Sequence, residues 1–126
     1  MITRDLDRDR SFELGPRGAE VPLLDIRVQR SMGTVDIDLI GDLDVSTVPE
    51  LWETLAAVVM VGADPVHTVA INVSRLNYSD STGLGCLVMA HKRCMASGVK
   101  LHLSQPDVTL QRLFEVTGLD QLLDID

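Results

Sequence analysis

Between residues 66 and 97 an apolar run passes through a hydroxyl- and glycine-rich turn directly into a helical pattern. Val66 to Val73 is too uniformly apolar for a surface strand, which predicts a strand covered on at least one face. Asn77-Tyr78-Ser79-Asp80-Ser81-Thr82-Gly83-Leu84-Gly85 follows. Leu84, Leu87, Val88, His91 and Met95 then fall at helical spacing, predicting a helix from Leu84 to Ser97 with Gly98 as its stop. A strand feeding a helix in this way demands a crossover, and crossovers build parallel sheets. The mouth of such a helix carries unpaired N–H groups and a partial positive charge, so it favours an anion. Ser81 and Thr82 are each placed to cap that helix or to display a hydroxyl at its mouth.

The flanking segments complete a mixed sheet. Leu24, Ile26 and Val28 alternate with polar residues, as do Val35, Ile37 and Leu39, and Ser31-Met32-Gly33-Thr34 separates the two runs. That pattern predicts an antiparallel hairpin. Thr47-Val48-Pro49-Glu50 has the form of a capping box, opening a helix to about Val61 with Leu51, Leu55, Val58 and Val59 on its apolar stripe. Gly62-Ala63-Asp64-Pro65 ends it. Val99 to Leu103 alternates as a further strand. Ser104-Gln105-Pro106-Asp107 opens a third helix, with Leu110, Leu113 and Phe114 inward, and Leu119 to Ile125 forms a short closing element. The predicted class is α/β: an N-terminal antiparallel hairpin plus parallel strands, packed with three to four helices. Residues 1–20, with alternating charges and Gly15-Pro16-Arg17-Gly18, read as a flexible tail, and 21–126 as the folded domain.

A chain of 126 residues holds one core. With aromatics at only 3%, that core must come from Leu, Val, Ile and Met, so Met32, Met60, Met89 and Met95 are expected as filler and Trp52 as a partial core residue. The net charge of −8 argues against binding nucleic acid or anionic lipid. No apolar run approaches the roughly 20 residues of a membrane span, and the first ten residues lack a signal-peptide core, so a cytoplasmic protein is expected. Cys86 and Cys94 lie ~12 Å apart along one helix, out of disulfide reach and without metal-site spacing. His67, His91 and His102 are scattered, and the H-E-x-x-H, G-x-S-x-G and Walker A patterns are absent. Neither an enzyme nor a cofactor or metal site is expected.

Gly41-Asp42-Leu43-Asp44, Thr47 to Leu51, Asp80-Ser81-Thr82-Gly83-Leu84-Gly85 and Val116-Thr117-Gly118-Leu119 occur in order. Together they resemble the STAS domain of bacterial anti-sigma factor antagonists, over roughly Leu23 to Ile125. The resemblance implies a STAS fold and a regulatory binding protein. It implies Ser81, directly after the motif aspartate, as a phosphorylation site for a cognate anti-sigma factor that is itself a serine kinase. The unphosphorylated form would bind that anti-sigma factor and free a sigma factor, and a PP2C-type phosphatase would reset the switch. Asp44 matches the family's G-x-L-D aspartate, near the acceptor and part of partner recognition. The implied partner surface comprises Asp44, Ser79, Asp80, Ser81, Thr82, Gly83, Leu84 and Gly85.

Ser79 departs from the family pattern, in which the residue before the motif aspartate is commonly apolar. It leaves a second hydroxyl two positions from Ser81, expected at a half-exposed turn. Gly83 and Gly85 are both expected to open the first helical turn to a partner or phosphate. An alternative role under the same resemblance is an adaptor module without phosphorylation, in a stress-signalling or transporter-associated complex.

Overall fold

In the computed structural model, residues 23–60 and 65–126 are described. The expected tail at 1–20, residues 21 and 22, and the helix stop at 61–64 lie outside them. Strands β1 (Leu24–Ser31) and β2 (Thr34–Leu43) form an antiparallel hairpin with Ser31 paired to Thr34. Met32 and Gly33 alone make the turn, with φ of 44° and 89°, the left-handed pair that matches the twist of a two-residue hairpin. Helix α1 (Val48–Met60) leads to β3 (Thr68–Ser79), α2 (Ser81–Ala96), β4 (Lys100–Ser104) and α3 (Val108–Thr117), with a short 3-10 turn at Leu119–Gln121. The sheet order is β1-β2-β3-β4, and β2-β3 and β3-β4 are parallel. This is the mixed α/β architecture expected from the residue pattern.

One face of the sheet is buried. Val35, Ile37 and Leu39 of β2, Val69, Ile71 and Val73 of β3, and Leu101 and Leu103 of β4 alternate into the core. Leu51 and Leu55 of α1, Leu84, Leu87 and Ala90 of α2, and Phe114 of α3 join the same cluster. Cys86 and Cys94 are buried free thiols on α2, and burial pushes the Cys86 thiol up to about 11. Three of the four methionines expected as filler do not fill the core: Met32, Met89 and Met95 are exposed, and the Met60 side chain lies outside the described residues. Leucine and valine suffice on the covered face, and Met32 projects from a turn tip with nothing above it. Trp52 is half-buried against the core, as expected.

Three boundaries differ from the sequence pattern. β3 continues past Val73 to Ser79, because Tyr78 and Ser79 pair with Asp42 and Leu43. Register shifts between Asp38 and Ile40 and between Gly41 and Asp42 space the buried residues Val73, Leu76 and Ser79 three apart, which hides the two-residue period of a strand. α2 begins at Ser81 rather than Leu84, so Asp80 alone joins strand to helix. The expected capping box at Thr47 does not form: its buried hydroxyl donates to the Asp42 carbonyl and accepts from the Asp44 N–H, both at 2.9 Å.

The last residues are stitched to the sheet edge. Leu103 N–H donates to the Asp124 carbonyl and Asp126 N–H to the Leu103 carbonyl, each at 2.9 Å, making a parallel bridge between Leu103 and Ile125. His102 Nδ1 stands 3.2 Å from Asp124 Oδ2, out of line for a hydrogen bond but close enough for an ion pair when the ring is charged.

Candidate functional site

The pairing of Leu43 with Ser79 sets two loops side by side at the carboxyl ends of parallel strands, the end where open α/β sheets form their sites. One is Asp44 to Thr47, between β2 and α1; the other is Asp80, between β3 and α2. The Asp80 N–H donates to the Leu43 carbonyl at 3.3 Å.

Asp80 is the N-cap of α2. Its Oδ1 accepts from the Gly83 N–H at 2.8 Å, satisfying one donor of the helix mouth, while Oδ2 accepts from the Val45 N–H at 3.2 Å. Capping was open to Ser81 or Thr82 from sequence; the carboxylate takes it because its two oxygens reach the helix and the neighbouring loop at once. Ser81 and Thr82 are the first helical residues, exposed, and their hydroxyls have no partner among the described residues.

Asp44 organises the other loop. Its Oδ1 accepts from the Ser46 hydroxyl at 2.7 Å, the Ser46 N–H at 2.9 Å and the Thr47 N–H at 3.3 Å. The Ser46 hydroxyl is the main cause that holds the Asp44 carboxyl below the usual carboxylate value. The loop therefore carries a fixed negative charge next to the Val45–Asp80 contact.

The eight residues of the expected partner surface divide in two. Asp44, Asp80, Ser81, Thr82 and Gly85 lie at or near the surface, while Ser79, Gly83 and Leu84 are buried. Ser79 is only 8% exposed and its hydroxyl donates to the Asp80 carbonyl at 3.2 Å. Expected at a half-exposed turn, it is instead the last residue of β3, pinned beside Leu43. Gly83 faces inward, where a Cβ would overlap the Leu43 carbonyl oxygen and the Ser79 hydroxyl. Its missing side chain serves the approach of helix to loop. Gly85 is the open one: nothing lies within 4 Å of where its Cβ would stand. Leu84 points into the core.

Two exposed apolar residues at this end were not singled out from sequence. Val45 is 68% exposed beside the Asp80 carboxylate, and Tyr78 is 55% exposed at the end of β3. A β-branched apolar residue between Asp44 and Ser46 was the available signal. Met89 is exposed as well, and with Ser81 and Gly85 it recurs every fourth residue, placing all three on one stripe of α2. Among the described residues no group of three or more His, Cys, Asp or Glu side chains converges as a metal site would, and no helix is long and apolar enough to cross a membrane.

This geometry coincides with a match to the family model described as Mlab, STAS domain, over residues 26–124. The chain belongs to the STAS domain family. An anti-sigma-B factor antagonist of Staphylococcus epidermidis is 37% identical over 86 residues, covering 68% of this chain and 77% of that protein. The protein of the same name from Bacillus subtilis is 32% identical over 102 residues, covering 81% and 90%. Among solved structures, the anti-sigma factor antagonist SpoIIAA is similar in fold in both its forms. The unphosphorylated form gives a TM-score of 0.67 at 23% identity, over 81% of this chain and 88% of that one. The phosphorylated form gives 0.62 at 25% identity, over 81% and 91%.

Proposed function

We propose that this chain is an anti-sigma factor antagonist switched by phosphorylation of Ser81. In the unphosphorylated state it binds an anti-sigma factor with serine kinase activity and so releases a sigma factor. The kinase transfers a phosphoryl group to Ser81, and a PP2C-type phosphatase removes it. The observation that carries this reading is the contrast between the serines flanking Asp80: Ser81 is exposed with a hydroxyl that has no partner among the described residues, and Ser79 is buried and hydrogen-bonded. The names of the curated relatives support the antagonist role, and the phosphorylated form of SpoIIAA supports a phosphoryl switch on this fold.

The switch works by local charge. A phosphoserine adds about −1.5 to −2 charges near neutral pH. The helix dipole offsets about 0.3–1 kcal/mol of the local cost, and Asp80 and Asp44 oppose the added charge. An exposed position tolerates this. A partner surface closed over Ser81 does not, because burying an uncompensated charge costs several kcal/mol. A loss of about 3 kcal/mol weakens binding roughly 100-fold. The partner surface we infer is Asp44, Val45, Ser81, Thr82, Gly85 and Met89, with Asp80, Ser79, Gly83 and Leu84 fixing its shape from below.

The test is phosphate incorporation. The chain is mixed with its cognate anti-sigma factor kinase and ATP, and the product is mapped by phosphopeptide mass spectrometry. Phosphate at Ser81, with loss of the complex, is expected. A stable complex with no phosphate on Ser81 would overturn the switch in favour of an adaptor role.

A further inference from the structure

Away from the Ser81 end of α2, its C-terminal half and α1 leave a groove of about 630 Å³ between them. Small-molecule sites occupy about 300–1,000 Å³ and are mostly apolar with a few placed polar groups. Here Trp52, Leu55 and Ala56 of α1 face Ala90, Arg93 and Cys94 of α2, with Pro65 and Val66 of the segment before β3 also lining the space. Small side chains at 56 and 90 keep the two helices from filling it. Met89 lies outside this lining, so the groove is separate from the stripe assigned to the partner surface.

Arg93 supplies the polar group. Its guanidinium lies 5.3 Å from the Trp52 ring centroid, a cation–π contact. It has no ion pair or hydrogen bond among the described residues, so its fork of N–H donors is uncommitted. The α2–β4 side of the groove carries no acidic competitor: from Ser81 to Pro106 there is no Asp or Glu, while Lys92, Arg93 and Lys100 fall within that span. In a chain of net charge −8 this is a cationic island beside an apolar groove.

We propose that the groove binds a small amphipathic carboxylate, an acyl-chain acid with its carboxylate on Arg93 and its chain along Trp52, Leu55 and Ala90. A hydrophilic anion would leave the apolar walls wet, and a neutral hydrocarbon would leave the guanidinium unused. The carboxylate matches the planar fork of arginine, and the chain matches the walls.

Trp52 is the only tryptophan, so its fluorescence reads the groove directly. The full chain is titrated with decanoate below its micelle concentration, with decanol and decyltrimethylammonium as controls. Decanoate is expected to change Trp52 emission saturably with a Kd below about 1 mM, and to bind about tenfold or more tightly than either control. Arg93→Gln should weaken decanoate about tenfold and leave decanol unchanged. Because that substitution alters the surroundings of Trp52, amide shifts provide a second readout: Val66, Ala90 and Cys94 should move with decanoate and Ser81 should not. Ala56→Leu, which fills the groove from a surface position, should abolish binding. Absence of saturable binding, equal binding of the controls, or shifts centred elsewhere would overturn the proposal.

Discussion

The carboxylate of Asp80 holds the Val45 N–H at 3.2 Å with one oxygen while the other caps α2 through Gly83 at 2.8 Å. A single side chain therefore locks the β2–α1 loop to the helix mouth. The two contacts can be separated by substitution. Asp80→Ala should cost about 1–2 kcal/mol, the usual loss for an N-cap. Asp80→Asn keeps an acceptor for Gly83 but presents an amide donor to Val45. Denaturant unfolding should show most of the stability retained in the asparagine variant, while hydrogen exchange at the Val45 amide rises in both. Unchanged exchange at Val45 in both variants would show that the loop is held by other contacts.

Gly83 and Gly85 should respond in opposite directions to the same methyl group. Helix propensity alone favours alanine over glycine by about 1 kcal/mol at either position. At Gly85 there is open space, so Gly85→Ala should stabilise by up to that amount. At Gly83 the methyl would overlap the Leu43 carbonyl oxygen and the Ser79 hydroxyl, so Gly83→Ala should destabilise by about 1–3 kcal/mol. Urea midpoints for the pair decide the matter, and equal shifts would refute the close approach.

Ser81→Ala and Ser81→Asp separate charge from shape. The alanine variant should bind the anti-sigma factor and remain bound in the presence of ATP. The aspartate variant should bind about 100-fold more weakly, equivalent to about 3 kcal/mol, while its unfolding free energy stays within about 0.5 kcal/mol of the parent, as for a surface substitution. Collapse of the fold in Ser81→Asp would contradict a purely local charge mechanism.

The order of strands and helices was legible because each buried face carries its own period: Val35, Ile37 and Leu39 alternate, and Leu84, Leu87 and Val88 fall at helical spacing against the core, although Met95 of the same pattern is exposed. The end of β3 was not. There Leu76 and Ser79 are buried three apart, since β3 carries an extra residue at each of two register shifts, and that register is set by its pairing with β2. The same non-local pairing decided the site. Ser79 looks like a turn serine in sequence, yet its pairing with Leu43 buries it. Ser81 and Thr82 look like the caps in sequence, yet Asp80 takes that role and also reaches Val45, which is 35 residues away along the chain. Asp44 and Ser81 were legible as neighbours only through the family resemblance, since their proximity also follows from the β2–β3 pairing.

Asp44 makes the last prediction, one of pH and binding together. Hydrogen bonds from Ser46 first, then from Thr47, hold its carboxyl below the ordinary value of about 3.9, against a smaller opposing effect of desolvation. A group whose folded-state pKa is depressed contributes stability that is present above the unfolded value and lost as pH falls through the folded one. The contribution of Asp44 is therefore complete at neutral pH and disappears only in acid, below about pH 4. Ser46→Ala removes the largest cause, so the Asp44 titration, followed by carboxyl carbon NMR, should move up toward the ordinary value. An unmoved titration would mean that the backbone N–H groups hold the charge alone. Because the loop stays ionised throughout the neutral range, partner binding should not depend on Asp44 titration there. Its charge and the loop shape it enforces should matter instead, so Asp44→Ala should weaken the anti-sigma factor complex more than Asp36→Ala or Asp38→Ala. Both of those lie earlier on β2, away from the Leu43–Ser79 end of the sheet, and equal losses from all three would assign the effect to net charge rather than to this site.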